Sequence, residues 1–365
     1  MTSQVLIIFG EEFMDSFNSY MEEGFPFTGR KQKRLETFLA SRGLTYDSQI
    51  TYSVTLCDKN GNILGCGSRQ ENILKCIAID ESCEGEGLLW QIVTQLVKQA
   101  VEKGFSHLFL FTKPEYKTVF CDMGFYPITQ TDSMLLLENR KNGISTYLEK
   151  EQKNTLEKHP DWNPELPSGA TVMNANPFTK GHAHLIASAA ASCPFLHVFV
   201  LSEDASEFPA DVRLRLVQEG CASFPNVMVH GSSDYLISHA TFPDYFLKDR
   251  ASINDKTAEL DLKIFGEYFK NAFHIQWRFV GEEPFSKVTN AYNGQMKKIL
   301  PSFGIQVTEI PRKTAGTTVI SATLVRKLFL AGNMDALTSL VPETTFRYLN
   351  SPEGQALRKK MGENL

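Results

Sequence analysis

Two short runs in this 365-residue chain gather amide, hydroxyl, imidazole and guanidinium side chains where a strand should give way to a helix. The first, MNANPFTKGHAH at 173–184, carries Asn174, Asn176, Pro177 and Phe178 directly into Thr179, Lys180, Gly181 and His182, a T-x-G-H pattern. Pro177 fixes φ and turns the chain out of a strand. Gly181 removes the Cβ that would keep a phosphate at a distance. A helix opening near His182 points unspent N–H groups and a partial positive charge at an anion. Thr179 can donate its hydroxyl, and His182 a charge-assisted hydrogen bond, to phosphate oxygens. The second run, VISATLVRKL at 319–328, opens another helix with Ser321 as its cap, so that Ser321, Thr323 and Arg326 can meet a polyphosphate. Neither run alone is specific, but together they make two sides of an ATP phosphate clamp.

The elements that must position these residues alternate along the second half of the chain. Strands are expected at 171–174, 195–201, 227–230, 276–280 and 305–310, and helices at 182–192, 210–222, 257–271, 287–300 and 321–331. Strands separated by helix-length segments imply βαβ units and a parallel, Rossmann-like α/β sheet. Ligands of such sheets lie beyond the carboxyl ends of the strands, where 174–181 falls. The text from 140 to 169, crowded with charge and prolines, separates this part from the rest. The expected divisions are a first domain at 1–145, a linker at 146–167 that includes a polar helix near 144–158, a second domain at 168–350 and a fraying tail at 351–365.

Composition narrows the partners. A net charge of −5 argues against general nucleic-acid binding. No apolar run approaches the roughly 18 residues of a membrane span, and the start has no basic leader. Seven cysteines, none in a C-x-x-C pair, suit reduced thiols in a cytoplasmic protein. No dedicated protein metal site is expected.

The second domain resembles the HxGH nucleotidyltransferase superfamily, whose late helix carries an I-S-x-[ST]-x-x-R pattern. More narrowly the chain is similar to the citrate lyase ligase family, through MNANPFTKGH, SEDASEFPADVRLRLV, DYLISHATFPDYFLKD, ELDLKIF, RFVGEEPFSKVTNAYN and VISATLVRKL. The resemblance implies adenylyl transfer. ATP and acetate give acetyl-adenylate and pyrophosphate, and the acetyl group passes to the thiol of a CoA-like prosthetic group on the acyl carrier subunit of citrate lyase. It implies catalytic roles for His182, Thr179, Lys180 and Arg326. Nucleotide contacts would come from Asn174, Asn176, Pro177, Phe178, Gly181, Arg213, Gly281, Glu282, Lys287, Ser321 and Thr323, with Glu283 beside them. Mg²⁺ would be held mainly by phosphates and water. The segment 233–249, long, aromatic and polar at once, suits either a lining of the acetate or thiol pocket or buried packing under a loop.

The first domain carries its own signal: an expected strand at 73–80, the turn Glu84-Gly85-Glu86-Gly87-Leu88-Leu89, a helix to about 103 and a strand at 107–112. This is similar to the GNAT acetyltransferase fold, an α+β domain whose glycine turn, [QR]-x-x-G-x-[GA], meets the pyrophosphate of CoA. Gly87 is kept, but Glu84 and Leu89 depart from the pattern, and a carboxylate opposes a diphosphate. The resemblance then implies docking of the carrier's CoA-like arm, or a structural remnant. Two other functions suit the same motifs: an adenylyltransferase acting on a phosphorylated coenzyme precursor, and a GNAT acetyltransferase with a nucleotide-binding partner domain.

Overall fold

A computed structural model describes residues 19–363 except 86, 202–205, 232, 237–249, 284–286 and 317; the side chains of 250–255, 257, 287, 288, 315 and 318 also lie outside the description. The chain forms two compact units, which divide between Lys141 and Asn142. No helix among the described residues is long and apolar enough to cross a membrane.

The first unit is a seven-stranded sheet built from β1 (Ser19–Gly24), β2 (Tyr52–Asp58), β3 (Ile63–Gln70), β4 (Ile73–Ile79), β5 (Phe109–Thr112), β6 (Tyr126–Gln130) and β7 (Leu135–Glu138), in the order β1-β2-β3-β4-β5-β7-β6. Neighbours are antiparallel except β4 and β5, which run parallel and pair only through Ile73–Phe109 and Leu74–Leu110. The strands expected at 73–80 and 107–112 are β4 and β5, and the unit is α+β as expected. Helix Leu88–Glu102 buries Leu88, Ile92, Val93, Leu96 and Ala100, an i, i+4, i+8 stripe against the sheet. Gly65 and Gly67 admit it: a Cβ at either position would lie within 2.8 Å of Ile92. Beside β4 and β5 opens a cavity of about 1060 Å³ walled by Ile77, Ile79, Leu88, Phe111 and Phe120, with Glu81 and Glu84 on its lining.

The second unit contains β8 (Ser168–Met173), β9 (Leu196–Val200), β10 (Val227–His230), β11 (Ile275–Gly281) and β12 (Gln306–Ile310), ordered β10-β9-β8-β11-β12 and parallel throughout. Strands β9 and β10 are buried along their whole length, as a sheet covered on both faces requires. Strand order reverses between β8 and β11, so the crevice for a ligand lies at their carboxyl ends. On one face Phe178, Ile186, Phe279, Val325, Phe329 and Leu349 share a single apolar core.

The connector expected at 146–167 contains most of helix Gly143–Lys158, which buries Ile144, Leu148 and Thr155. It is fixed to the second unit by Gln152 Nε2 donating to the Ala272 carbonyl and by Glu151 on His230. The expected tail holds helix Pro352–Glu363, whose Gly354 sits so close to the Tyr348 carbonyl that a Cβ there would lie 2.2 Å from its oxygen.

Candidate active site

Strand β8 ends at Met173, and the next six residues bend round to Thr179, the cap of helix Lys180–Ala190. The cap is reciprocal. His182 N–H donates to Thr179 Oγ1 at 3.3 Å, and Thr179 N–H donates to His182 Nδ1 at 3.1 Å. An Nδ1 that accepts carries no proton, so the neutral ring bears its proton on Nε2. The charge-assisted bond expected from the sequence then takes its charge from the phosphate. Desolvation, then the charge of Arg312, pushes the His182 pKa down to about 4. His182 therefore offers a phosphate a neutral N–H donor.

The late helix, Ala322–Leu330, is capped by Ser321, whose Oγ accepts from Leu324 N–H at 3.2 Å. Two observations join it to the T-x-G-H loop. Arg326 Nη1 donates to the Asn176 carbonyl at 2.7 Å while its Nε pairs with Glu207 at 3.0 Å. A Cβ at Gly181 would lie 3.5 Å from the Ile320 carbonyl oxygen, just before the second cap. Two capped helix N-termini thus adjoin at the carboxyl end of β8. Thr323 is exposed in the first turn of its helix.

Several residues expected at the nucleotide have scaffold contacts of their own. Phe178 is fully buried and packs on Gly220. Arg213, also fully buried, donates to the carbonyls of Asn174 (2.8 Å), Leu201 (2.6 Å) and Phe208 (3.0 Å) and to the Asn174 side chain, so it ties three stretches together. Asn176 receives Phe208 N–H at 3.0 Å and donates to Glu207 at 2.6 Å. Asn174 Nδ2 donates to Ser206 at 3.1 Å, and Pro177 is buried beside them. Lys180 turns to the C-terminal segment, with Nζ on the Thr338 carbonyl at 2.8 Å. An arginine or lysine after a strand looks the same in sequence whether it meets substrate or backbone carbonyls, and only the tertiary fold separates the cases.

At the exit of β11, Gly281 has open space where a Cβ would be, and its carbonyl accepts from Asn293 Nδ2 at 3.1 Å. Glu282 is exposed, and its N–H donates to the Ile310 carbonyl at 3.0 Å. The side chain of Lys287 and residues 237–249 of the aromatic segment lie outside the described residues. One residue at this edge was not anticipated: Arg312, whose Nε donates to the Glu282 carbonyl at 2.6 Å and whose Nη2 pairs with Glu283. Its signal in the sequence was position alone, a basic residue two places beyond a parallel strand.

A parallel α/β sheet with two capped helix N-termini at its switch point is the Rossmann-like architecture expected of the second domain. The family model for the citrate lyase ligase C-terminal domain matches residues 168–349. The citrate (pro-3S)-lyase ligase of Haemophilus influenzae is 42% identical over 326 residues, covering 88% of this chain and 95% of that protein. The protein of the same name from Escherichia coli is 40% identical over 328 residues, covering 88% and 91%. A solved GNAT-family acetyltransferase from Staphylococcus aureus aligns with 33% of this chain and 99% of its own at 11% identity, with a TM-score of 0.29. The chain belongs to the citrate lyase ligase family and is an enzyme of the ligase class.

Proposed function

We propose that the enzyme joins acetate to ATP as acetyl-adenylate, releasing pyrophosphate, and passes the acetyl group to the thiol of the CoA-like prosthetic group on the acyl carrier subunit of citrate lyase, releasing AMP. The relatives' name supports citrate lyase as the acceptor. The nucleotide half rests on one observation above all, the clasp of Arg326 on the Asn176 carbonyl beside the two capped helices. Acetate is ionised at pH 7 and needs no general base to attack the α-phosphorus. Catalysis is then positioning and charge stabilisation, for which His182 Nε2, the helix N-termini and Arg326 are placed. Mg²⁺ would arrive on the triphosphate, held mainly by phosphate oxygens and water. The cavity of the first unit suits the apolar, amide-bearing stretch of the carrier's arm; Glu81 and Glu84 disfavour a diphosphate there.

The test is chemical trapping. Enzyme, MgATP, acetate and hydroxylamine should yield acetyl hydroxamate without any carrier protein. A preparation that binds MgATP but forms no hydroxamate would count for adenylyl transfer to a different acceptor.

A further inference from the structure

The clamp described so far leaves one charged side chain at the same edge of the sheet without a task. Arg312 leaves β12 and turns back to β11, where its guanidinium holds the Glu282 carbonyl and the Glu283 carboxylate. The pair is partly buried, with side-chain exposures of 24% for Arg312 and 14% for Glu283. The same charge is felt by His182 in the first turn of helix Lys180–Ala190. The exits of β11 and β12 therefore share one guanidinium, whose charge reaches the T-x-G-H helix.

We propose that Arg312 is a phosphate-binding arginine of the nucleotide site, restrained by Glu283 in the free enzyme and transferred to polyphosphate oxygens when the nucleotide arrives. The inference rests on the nucleotide reading given above. Its physical basis is a division of labour. A neutral His182 can orient a phosphate oxygen but contributes no charge, whereas a guanidinium stays charged at every working pH and offers a planar fork of five N–H donors. A single, partly solvated carboxylate is a weak competitor for that fork. A polyphosphate brings more charge and more acceptors. Glu283 then confines the guanidinium while the site is empty, and Glu282 keeps it attached to the strand end through a backbone carbonyl.

The experiment is MgATP binding to the full-length enzyme by calorimetry, with thermal unfolding as the check on folding. Arg312→Gln should raise the MgATP dissociation constant at least tenfold, and Arg312→Lys should fall between the two. Glu283→Gln should tighten MgATP binding, because it releases the guanidinium. NMR of the His182 ring should show its midpoint rising in Arg312→Gln. Equal binding by wild type and Arg312→Gln overturns the inference alone, as does a Glu283→Gln enzyme weakened as much as Arg312→Gln. Wild-type enzyme that does not bind MgATP overturns the nucleotide reading and this inference with it.

Discussion

At the scale of single residues, the proposed site separates groups that would meet substrate from groups that hold the loop. His182 would do both, because its Nδ1 closes the helix cap while Nε2 takes no part in it. Its replacement should be read on two axes. His182→Ala should lower acetate-dependent ATP–pyrophosphate exchange by about 100-fold or more, while loss of its half of the cap costs about 1 kcal/mol, measured by denaturant unfolding. Near-normal exchange would remove His182 from the site. Arg213 should behave in the opposite way. Arg213→Met leaves three backbone carbonyls and the Asn174 side chain without their donor and should cost about 3 kcal/mol or more. The protein that still folds should keep its Michaelis constant for ATP; a selective rise in that constant would return Arg213 to the nucleotide. The types of residues at 173–184 and 319–328 were legible from sequence because capping and glycine chemistry are local. The neutrality of His182 was not, since it comes from burial and from Arg312, 130 positions away (182 to 312).

At the scale of elements, two glycines make a contrast. A Cβ on Gly220 would meet the Phe178 ring at 2.3 Å, whereas one on Gly281 meets nothing among the described residues. Gly220→Ala should therefore destabilise by about 1–3 kcal/mol through overpacking. Gly281→Ala should unfold like wild type yet bind MgATP more weakly, because the open space belongs to the crevice. If Gly281→Ala binds normally, the exit of β11 is not part of the site. The opposite face of the sheet holds a buried chain: Glu151 Oε2 to His230 Nδ1 at 2.9 Å, and His230 Nε2 to His197 Nδ1 at 2.9 Å. Burial lowers both histidine pKa values, that of His197 far below the ordinary range. Desolvation, the largest single influence, would raise Glu151, but the hydrogen bond and charge of His230 together with Asn154 and Lys150 outweigh it, and the net direction is downward. For all three the unfolded chain binds protons more readily, so the stability they confer is full above about pH 6.5 and is lost as pH falls. Thermal unfolding should show a lower midpoint at pH 5 than at pH 8, and His197→Phe should flatten that slope. The strand at 227–230 was legible to the residue because a run of β-branched and apolar side chains is its own signal. Helix Gly143–Lys158 was legible only as a polar helix. Its few buried positions, Ile144, Leu148 and Thr155, are too sparse amid charge to announce what they pack on.

At the scale of the whole molecule, the two units meet different parts of the proposed reaction. Under the proposed function, adenylate formation would need only the crevice between β8 and β11, whereas delivery of acetyl to a carrier-borne thiol would need a place for the arm, and the first unit has a cavity of about 1060 Å³. Where the chain is cut decides whether this division can be tested. Helix Gly143–Lys158 belongs to the second unit and carries Glu151 to the buried His230. A cut at 145 would remove the start of that helix with Ile144, so the deletion should end at Lys141. Enzyme lacking residues 1–141 should form acetyl hydroxamate at a rate within a few-fold of the full chain, provided its unfolding midpoint is retained. Its transfer of acetyl to citrate lyase should fall much further, and filling the cavity of the intact enzyme by Ala78→Trp should reproduce that selective loss. Equal transfer rates with and without the first unit would show that the arm docks elsewhere. Loss of hydroxamate formation from a well-folded truncation would show that the first unit contributes to adenylation itself.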